Sequence, residues 1–350
     1  MQRKPSPGSP RPLPQVERSS RDNQAEIRLA EGRGELVRAT RGAYLRPTAD
    51  AEPWRHAEEL ALARCVGIAA RSRGRAVFSH ETAALLHGCW LWRLPEQTHL
   101  TVGVTVGSSR TTGIVRHCAP VDAAEVVELG DMRVTSLDRT VVDCASTMHP
   151  RDALVVADSA LRMLVGPDRR DRAGSDRRAA EVRTRWLSLL DVRRGRRGVV
   201  RARAVIARAE PWPESPGESV LRWLALSVGL PAPELQLLVQ TSIGAFYTDM
   251  GWLVDRRLPS GKRERRVALH AEFDGAVKYG GAEGRDALVR EKRREDAIRE
   301  VSAPVSRFDA ADLKRPRECA RRLLDRLPAV FRRSLKPVPE LWPLRGARLE

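Results

Sequence analysis

Two strand-like segments, FYTDMGWLVD (residues 246–255) and VALHAEFDG (267–275), bracket the turn-forming stretch RRLPSGKRER, and this pairing constrains the chain more than any other feature. Side chains alternate along a strand, so Val267, Leu269, Ala271 and Phe273 share one face while His270, Glu272 and Asp274 share the other. With LQLLVQT (235–241) in front, the three segments predict an antiparallel meander. A two-residue turn at Ser260 and Gly261 places Asp249 directly opposite Glu272. Opposed β-carbons lie about 4.5–5.5 Å apart, where like charges repel. A divalent cation removes that repulsion, and three carboxylates, Asp249, Glu272 and Asp274, offer the hard oxygen donors that suit Mg²⁺ or Mn²⁺. Lys278, four residues further on, supplies an ammonium that can polarise a water or neutralise charge on a phosphate. Together these groups have the chemistry to cut phosphodiesters. Acidic residues at strand ends and a DG pair are also ordinary turn features, and that plain reading stands beside the metal site.

Upstream, PESPGESVLRWLALSVGL predicts a helix with Ser215 as N-cap, Pro216 in the first position and Glu218 three residues after the cap, a capping box. Glu218 is therefore either a cap or a further acid for the same centre. Downstream come a highly charged helix, RDALVREKRREDAIRE, a short apolar strand, APVSRF, and a closing helix.

At 350 residues the chain is too long for one ordinary core and predicts two domains with connecting segments. Its formal charge of +17 makes a polyanion the first partner to consider. Nearly all of that charge is arginine, with lysine only at Lys4, Lys262, Lys278, Lys292, Lys314 and Lys336, a bias that GC-rich coding also produces. No run reaches the roughly 20 apolar residues of a membrane helix, and MQRKPSPGSPRPLPQ lacks the apolar core of a signal peptide, so a cytoplasmic protein without a membrane partner is expected. Five cysteines, Cys65, Cys89, Cys118, Cys144 and Cys319, include no CxxC pair and read as buried thiols.

Residues 1–22 are rich in Pro, Ser and Arg and read as a disordered tail. Residues 23–53 hold a short helical pattern followed by GELVRA and GAYLRP, the outline of a partial winged helix whose Arg38, Arg41 and Arg46 can face DNA phosphates; a plain surface hairpin fits equally well. Residues 54–165 alternate helical and strand patterns, an α/β domain in which His80 and His87 lie seven apart on one helical face, a spacing that suits packing or capping better than a two-ligand metal site. The stretch 166–210 reads as a basic connector, with fourteen arginines against five acids, hence +9, over residues 166–208. Residues 211–330 form the last domain and 331–350 a tail.

From about Glu214 to Leu313 the chain resembles the very-short-patch-repair-endonuclease-like branch of the PD-(D/E)XK nuclease superfamily, through SPGES, YTDMGW, AEFDGAVKY and EKRREDAIRE. The resemblance implies a restriction-endonuclease-like mixed sheet flanked by helices. It also implies site roles for Glu218, Asp249, Glu272, Asp274 and Lys278, with Asp249, Glu272 and Asp274 on the metal. The lysine that the superfamily usually carries two residues after the strand acid is replaced here by Asp274. Arg293 and Arg294 would hold the DNA backbone.

Residues 25–165 resemble the N-terminal region of AbiEi-type antitoxins and related winged-helix regulators, through RGAYL, VFSHETAALLHG, VTSLDRTVVDCAS and DALVVADSALR. That resemblance implies promoter binding and a cognate toxin partner. Two expectations follow: a Mg²⁺-dependent DNA endonuclease, or a non-catalytic antitoxin-type regulator that keeps a degenerate nuclease fold as a scaffold.

Overall fold

The computed structural model describes residues 9–49, 51–72, 75–103, 113–257, 260, 262–275 and 282–342, and the side chains of all of these except 256–257 and 282–291. The chain is mixed α/β and divides into two compact units, Met1–Met148 with Val182–Val199, and His149–Glu181 with Val200–Glu350.

The first unit opens with strand β1 (Val16–Arg18), helix α1 (Gln24–Gly32) and the hairpin β2 (Val37–Thr40) and β3 (Ala43–Leu45), in a sheet ordered β1-β3-β2. The expected disordered tail thus contains a strand: Val16 pairs with Leu45 and packs with Ala39 and Ala63, burial that offsets the cost of ordering it. Helix α2 (Pro53–Ser72) lies against the hairpin at Gly67, where a β-carbon would come within 2.6 Å of Ala43 and Thr40, so only glycine allows this approach. With Leu62, Cys65 and Ile68, α2 also covers a second sheet. That sheet runs β6-β5-β4-β8-β7, from β4 (Val77–Phe78), β5 (Thr98–Val102), β6 (Ile114–Cys118), β7 (Val126–Leu129) and β8 (Met132–Thr135). Helices α3 (His80–Leu86) and α4 (Leu137–Thr147) complete the layer. Ser136 caps α4 by accepting from the Arg139 amide, as Ser and Thr do when they end a strand before an apolar-periodic helix.

In the second unit, α5 (Pro150–Val165) packs on α8 (Pro216–Ser227), and between them Arg222 grips Asp158 with contacts of 2.5 and 2.7 Å. Where a basic connector was expected, α6 (Arg172–Asp191) and α7 (Val199–Ile206) form, because Ala179, Trp186, Leu190, Ala202, Val205 and Ile206 recur on faces that are buried. The four-stranded sheet runs β12-β11-β10-β9, from β9 (Glu234–Thr241), β10 (Gly244–Arg257), β11 (Arg263–Phe273) and β12 (Val305–Phe308), with only the β11–β12 pair parallel. Helix α9 (Ala282–Val301) covers it through Ile298, which meets Val239 and Val305. Helices α10 (Ala310–Leu313), α11 (Pro316–Arg326) and α12 (Ala329–Arg333) follow. The expected tail beyond residue 330 docks through Phe331 and Leu341, both buried, and Trp223 donates its indole N–H to the Leu341 carbonyl at 2.9 Å.

Candidate functional site

The β10–β11 hairpin sets the site through two offsets that cancel. Its outer ladder pairs Arg257 with Arg263, one step off the register that a two-residue turn at Ser260 and Gly261 requires. A shift between Trp252 and Leu253 then leaves Ala268 without a partner, and the inner ladder, Met250 with Ala271 and Trp252 with Leu269, has the register that brings Asp249 to Glu272. Backbone pairing stops at Met250–Ala271, one step before those two carboxylates would face each other. There Asp249 Oδ2 accepts the Phe273 backbone N–H at 2.7 Å, so a side chain takes the place of a ladder carbonyl. On the other side, β9–β10 pairs Leu237 with Thr248 and Leu235 with Met250, passing over Gln236 and Asp249.

Glu218 reaches the same place from the first turn of α8. Its amide donates to Ser215 Oγ at 3.2 Å and its carboxylate accepts from Ser215 Oγ at 2.8 Å, from the Glu214 amide at 2.8 Å and from Gln236 Nε2 at 3.4 Å. It is thus at once a partner of the N-cap Ser215 and a neighbour of Asp249, whose carboxyl its charge raises. Burial, with repulsion from Glu214, pushes its carboxyl above the ordinary range. Burial also raises Asp249, and the negative charges of Glu218 and Glu272 raise it further, against the Phe273 amide and Arg294.

Glu272, 5% exposed, is met by cations of the chain itself. Arg294 Nη2 donates to Oε1 at 2.6 Å and also to the Tyr247 carbonyl at 2.9 Å, while Arg307 Nη2 stands 3.5 Å from Oε2. Arg294 is therefore turned inward onto the acid, whereas Arg293 is exposed on α9. Asp274 is exposed and lies 3.4 Å from the guanidinium of Arg307. Lys278 lies outside the described residues.

The donor set fits a divalent cation in kind: Glu218 and Glu272 lie near enough to Asp249 for their charges to raise it, and Asp249 has no hydrogen bond but that from Phe273 among the described residues. Glu272, in contrast, is already neutralised by arginine, and among the described residues no group of three His, Cys, Asp or Glu is arranged to hold a metal ion.

In the first unit, Arg38 and Arg41 are exposed on the β2–β3 hairpin, while Arg46 pairs with Glu17 at 2.9 Å. His80 and His87 do not act together. His87 Nε2 bonds the Thr135 carbonyl at 2.7 Å, and His80, at φ 54°, stacks on His117 with ring centroids 3.5 Å apart. His117 Nε2 meets His99 Nδ1 at 3.0 Å, a cluster that no spacing along the chain discloses. Burial lowers all three, His80 to about 2 and His99 to about 4. Cys118 is exposed, unlike the other four cysteines, because it ends an edge strand.

Sequence reasoning missed Gln236, Arg169 and Arg307 at the acidic centre. Gln236 carried a signal: a polar residue inside an apolar strand segment that is 4% exposed must bond something.

No family model matches the chain, and no solved structure matches it. Two uncharacterised proteins of Mycobacterium tuberculosis, Rv2248 of strain H37Rv and MT2308 of strain CDC 1551, are each 26% identical over 282 residues, covering 81% of this chain and 88% of the relative. No helix among the described residues is long and apolar enough to cross a membrane.

Proposed function

We propose that this is a DNA-binding protein whose second unit hydrolyses phosphodiesters with Mg²⁺ or Mn²⁺. The observation that carries the reading is that Asp249, on a strand where the β10–β11 ladder ends, has Glu218 from a helix and Glu272 from the neighbouring strand near enough that their charges raise the cost of ionising it. Asp249 and Glu272 would hold the cation, with Glu218 and Asp274 beside them. Bound there, the cation would supply Lewis-acid polarisation of the phosphate and a water of lowered pKa. For that, Arg294 has to leave Glu272, and its guanidinium is then free for a phosphate oxygen. Arg38, Arg41 and Arg293 would add affinity for the DNA backbone. Plasmid nicking with Mg²⁺ or Mn²⁺ against EDTA, with Asp249→Asn and Glu272→Gln alongside, tests it; folded protein that binds DNA and never nicks it overturns hydrolysis.

One observation favours the second reading, a non-catalytic antitoxin-type regulator with a toxin partner: Arg294 and Arg307 already provide Glu272 with the positive charge that a metal would bring. On that reading the acidic centre only holds the unit together, and both variants would melt at lower temperature while DNA affinity and operon repression persist.

A further inference from the structure

Arg169 stands on a short 3-10 turn, Arg169–Asp171, capped by Asp168, which accepts from the Arg170 amide at 2.8 Å. Its guanidinium is gripped at one nitrogen and one face. Nη2 donates to Glu214 Oε1 at 2.7 Å and to Gln236 Oε1 at 2.6 Å, and the carbon of the guanidinium lies 4.5 Å from the centre of the Tyr247 ring. The side chain is nevertheless 38% exposed, and Nε and Nη1 have no protein partner among the described residues. An arginine so held has already lost much of its rotamer freedom, and with Nη2 engaged by Glu214 and Gln236 it keeps Nε–H and the Nη1 hydrogens as separate charged donors for phosphate oxygens. Arg162 Nη2 also leans on Glu214 Oε1, at 3.4 Å, so two guanidiniums share one carboxylate and the cluster keeps positive charge to offer.

The second observation is strain. Gln236 is 4% exposed and takes φ 48° within a strand, a left-handed conformation that strains any residue with a side chain. Its amide oxygen accepts from Arg169 while its amide nitrogen donates to Glu218 Oε2 at 3.4 Å. One carboxamide therefore ties the half-exposed arginine to the acidic centre at a set distance. An arginine held solely for stability would need no such relay, since Glu214 already neutralises it.

We propose that Arg169, backed by Tyr247 and spaced from Glu218 by Gln236, is a binding site for a backbone phosphate of DNA beside the acidic centre. The inference rests on the reading that this unit binds DNA, and its test does not depend on cutting. Full-length protein is titrated into a short fluorescein-labelled DNA duplex, by anisotropy, across a range of salt concentrations and with EDTA present. Arg169→Met, which keeps the apolar stem over Tyr247, is expected to weaken binding roughly five- to tenfold at low salt and to reduce the slope of log affinity against log salt by roughly 0.9, the loss of one phosphate contact. Arg169→Lys keeps the charge and restores the slope but not the full affinity. Gln236→Leu leaves the charge and unpins it, so affinity falls with the slope unchanged. Arg321→Met, on the exposed face of α11, is the control for generic charge.

An Arg169→Met protein that melts like the wild type and binds with unchanged slope overturns the proposal, as does an equal effect from Arg321→Met. If the variants behave as expected but the wild type never nicks DNA with any cation, hydrolysis falls and the phosphate site stands. If the wild type does not bind the duplex, both fall.

Discussion

Asp249 Oδ2 accepts the Phe273 N–H at 2.7 Å at the step where the β10–β11 ladder ends, so the acid both closes the sheet and belongs to the buried acidic group. The two roles separate in Asp249→Asn. The amide oxygen can still accept from Phe273, while the side chain can no longer ionise against Glu218 and Glu272 or bind a cation. The variant is expected to melt at or above the wild-type temperature and to nick plasmid at least about 100-fold more slowly. A lowered melting temperature together with loss of DNA binding would assign the residue to folding alone.

Arg222 and Asp158 are nearly inaccessible, and Asp158 also accepts the Glu210 amide at 2.8 Å. Removing one partner leaves an uncompensated buried charge. Arg222→Met or Asp158→Asn is expected to cost about 3–5 kcal/mol in urea unfolding, and the double variant less than the sum of the two.

Gly217 sits in the first turn of α8 with Phe273 so close that a β-carbon would lie 2.0 Å from the ring. Gly217→Ala is expected to destabilise by about 1–3 kcal/mol and to push the ring, whose own backbone N–H binds Asp249. Urea unfolding measures the first effect. For the second, the Phe273 amide signal in a ¹⁵N–¹H spectrum should move more than those of α11.

His80, His99 and His117 are packed as neutral rings, with Glu81, Asp143, Arg139 and Arg193 as the charges around them. Unfolded histidine takes a proton near pH 6.5, whereas folded His99 does so only near 4 and His80 near 2. The unfolded chain therefore binds more protons below pH 6.5, and the stability held at neutral pH is lost as pH falls from about 6.5 toward 4. Melting temperature should drop across that window, and His99→Gln with His117→Gln should flatten the drop. A wild-type profile already flat there would contradict the packing described.

Arg38 and Arg41 are exposed on the β2–β3 hairpin, whereas Arg46 is engaged by Glu17. Alanine at either of the first two should reduce the salt slope of DNA binding by roughly 0.9, and alanine at Arg46 should change it less. Equal slopes in all three would remove the hairpin from the DNA surface.

Periodicity made the helices and the meander of the second unit legible, because each buries one regular face: Leu221 and Leu224 in α8, Leu269 and Ala271 in β11. The register of the acidic centre was legible only in outcome, since the inner offset came from a two-residue turn while the outer ladder is one step off it and an unpaired Ala268 restores it. The segments expected as connector and tail were misread because charge dominates their composition, while single apolar residues such as Trp186, Ile206 and Leu341 decide their burial. What no local pattern carries is partner choice across space. That Arg294 closes on Glu272, or that His117 stacks on His80, depends on strands and helices far apart in the chain.

The unpaired Ala268 divides the hairpin into two gauges that read differently, like the scales of a vernier. The pairing of Arg257 with Arg263 therefore does not dictate the pairing of Met250 with Ala271: the single step at Ala268 stands between the outer rungs and the end of the ribbon where the carboxylates lie.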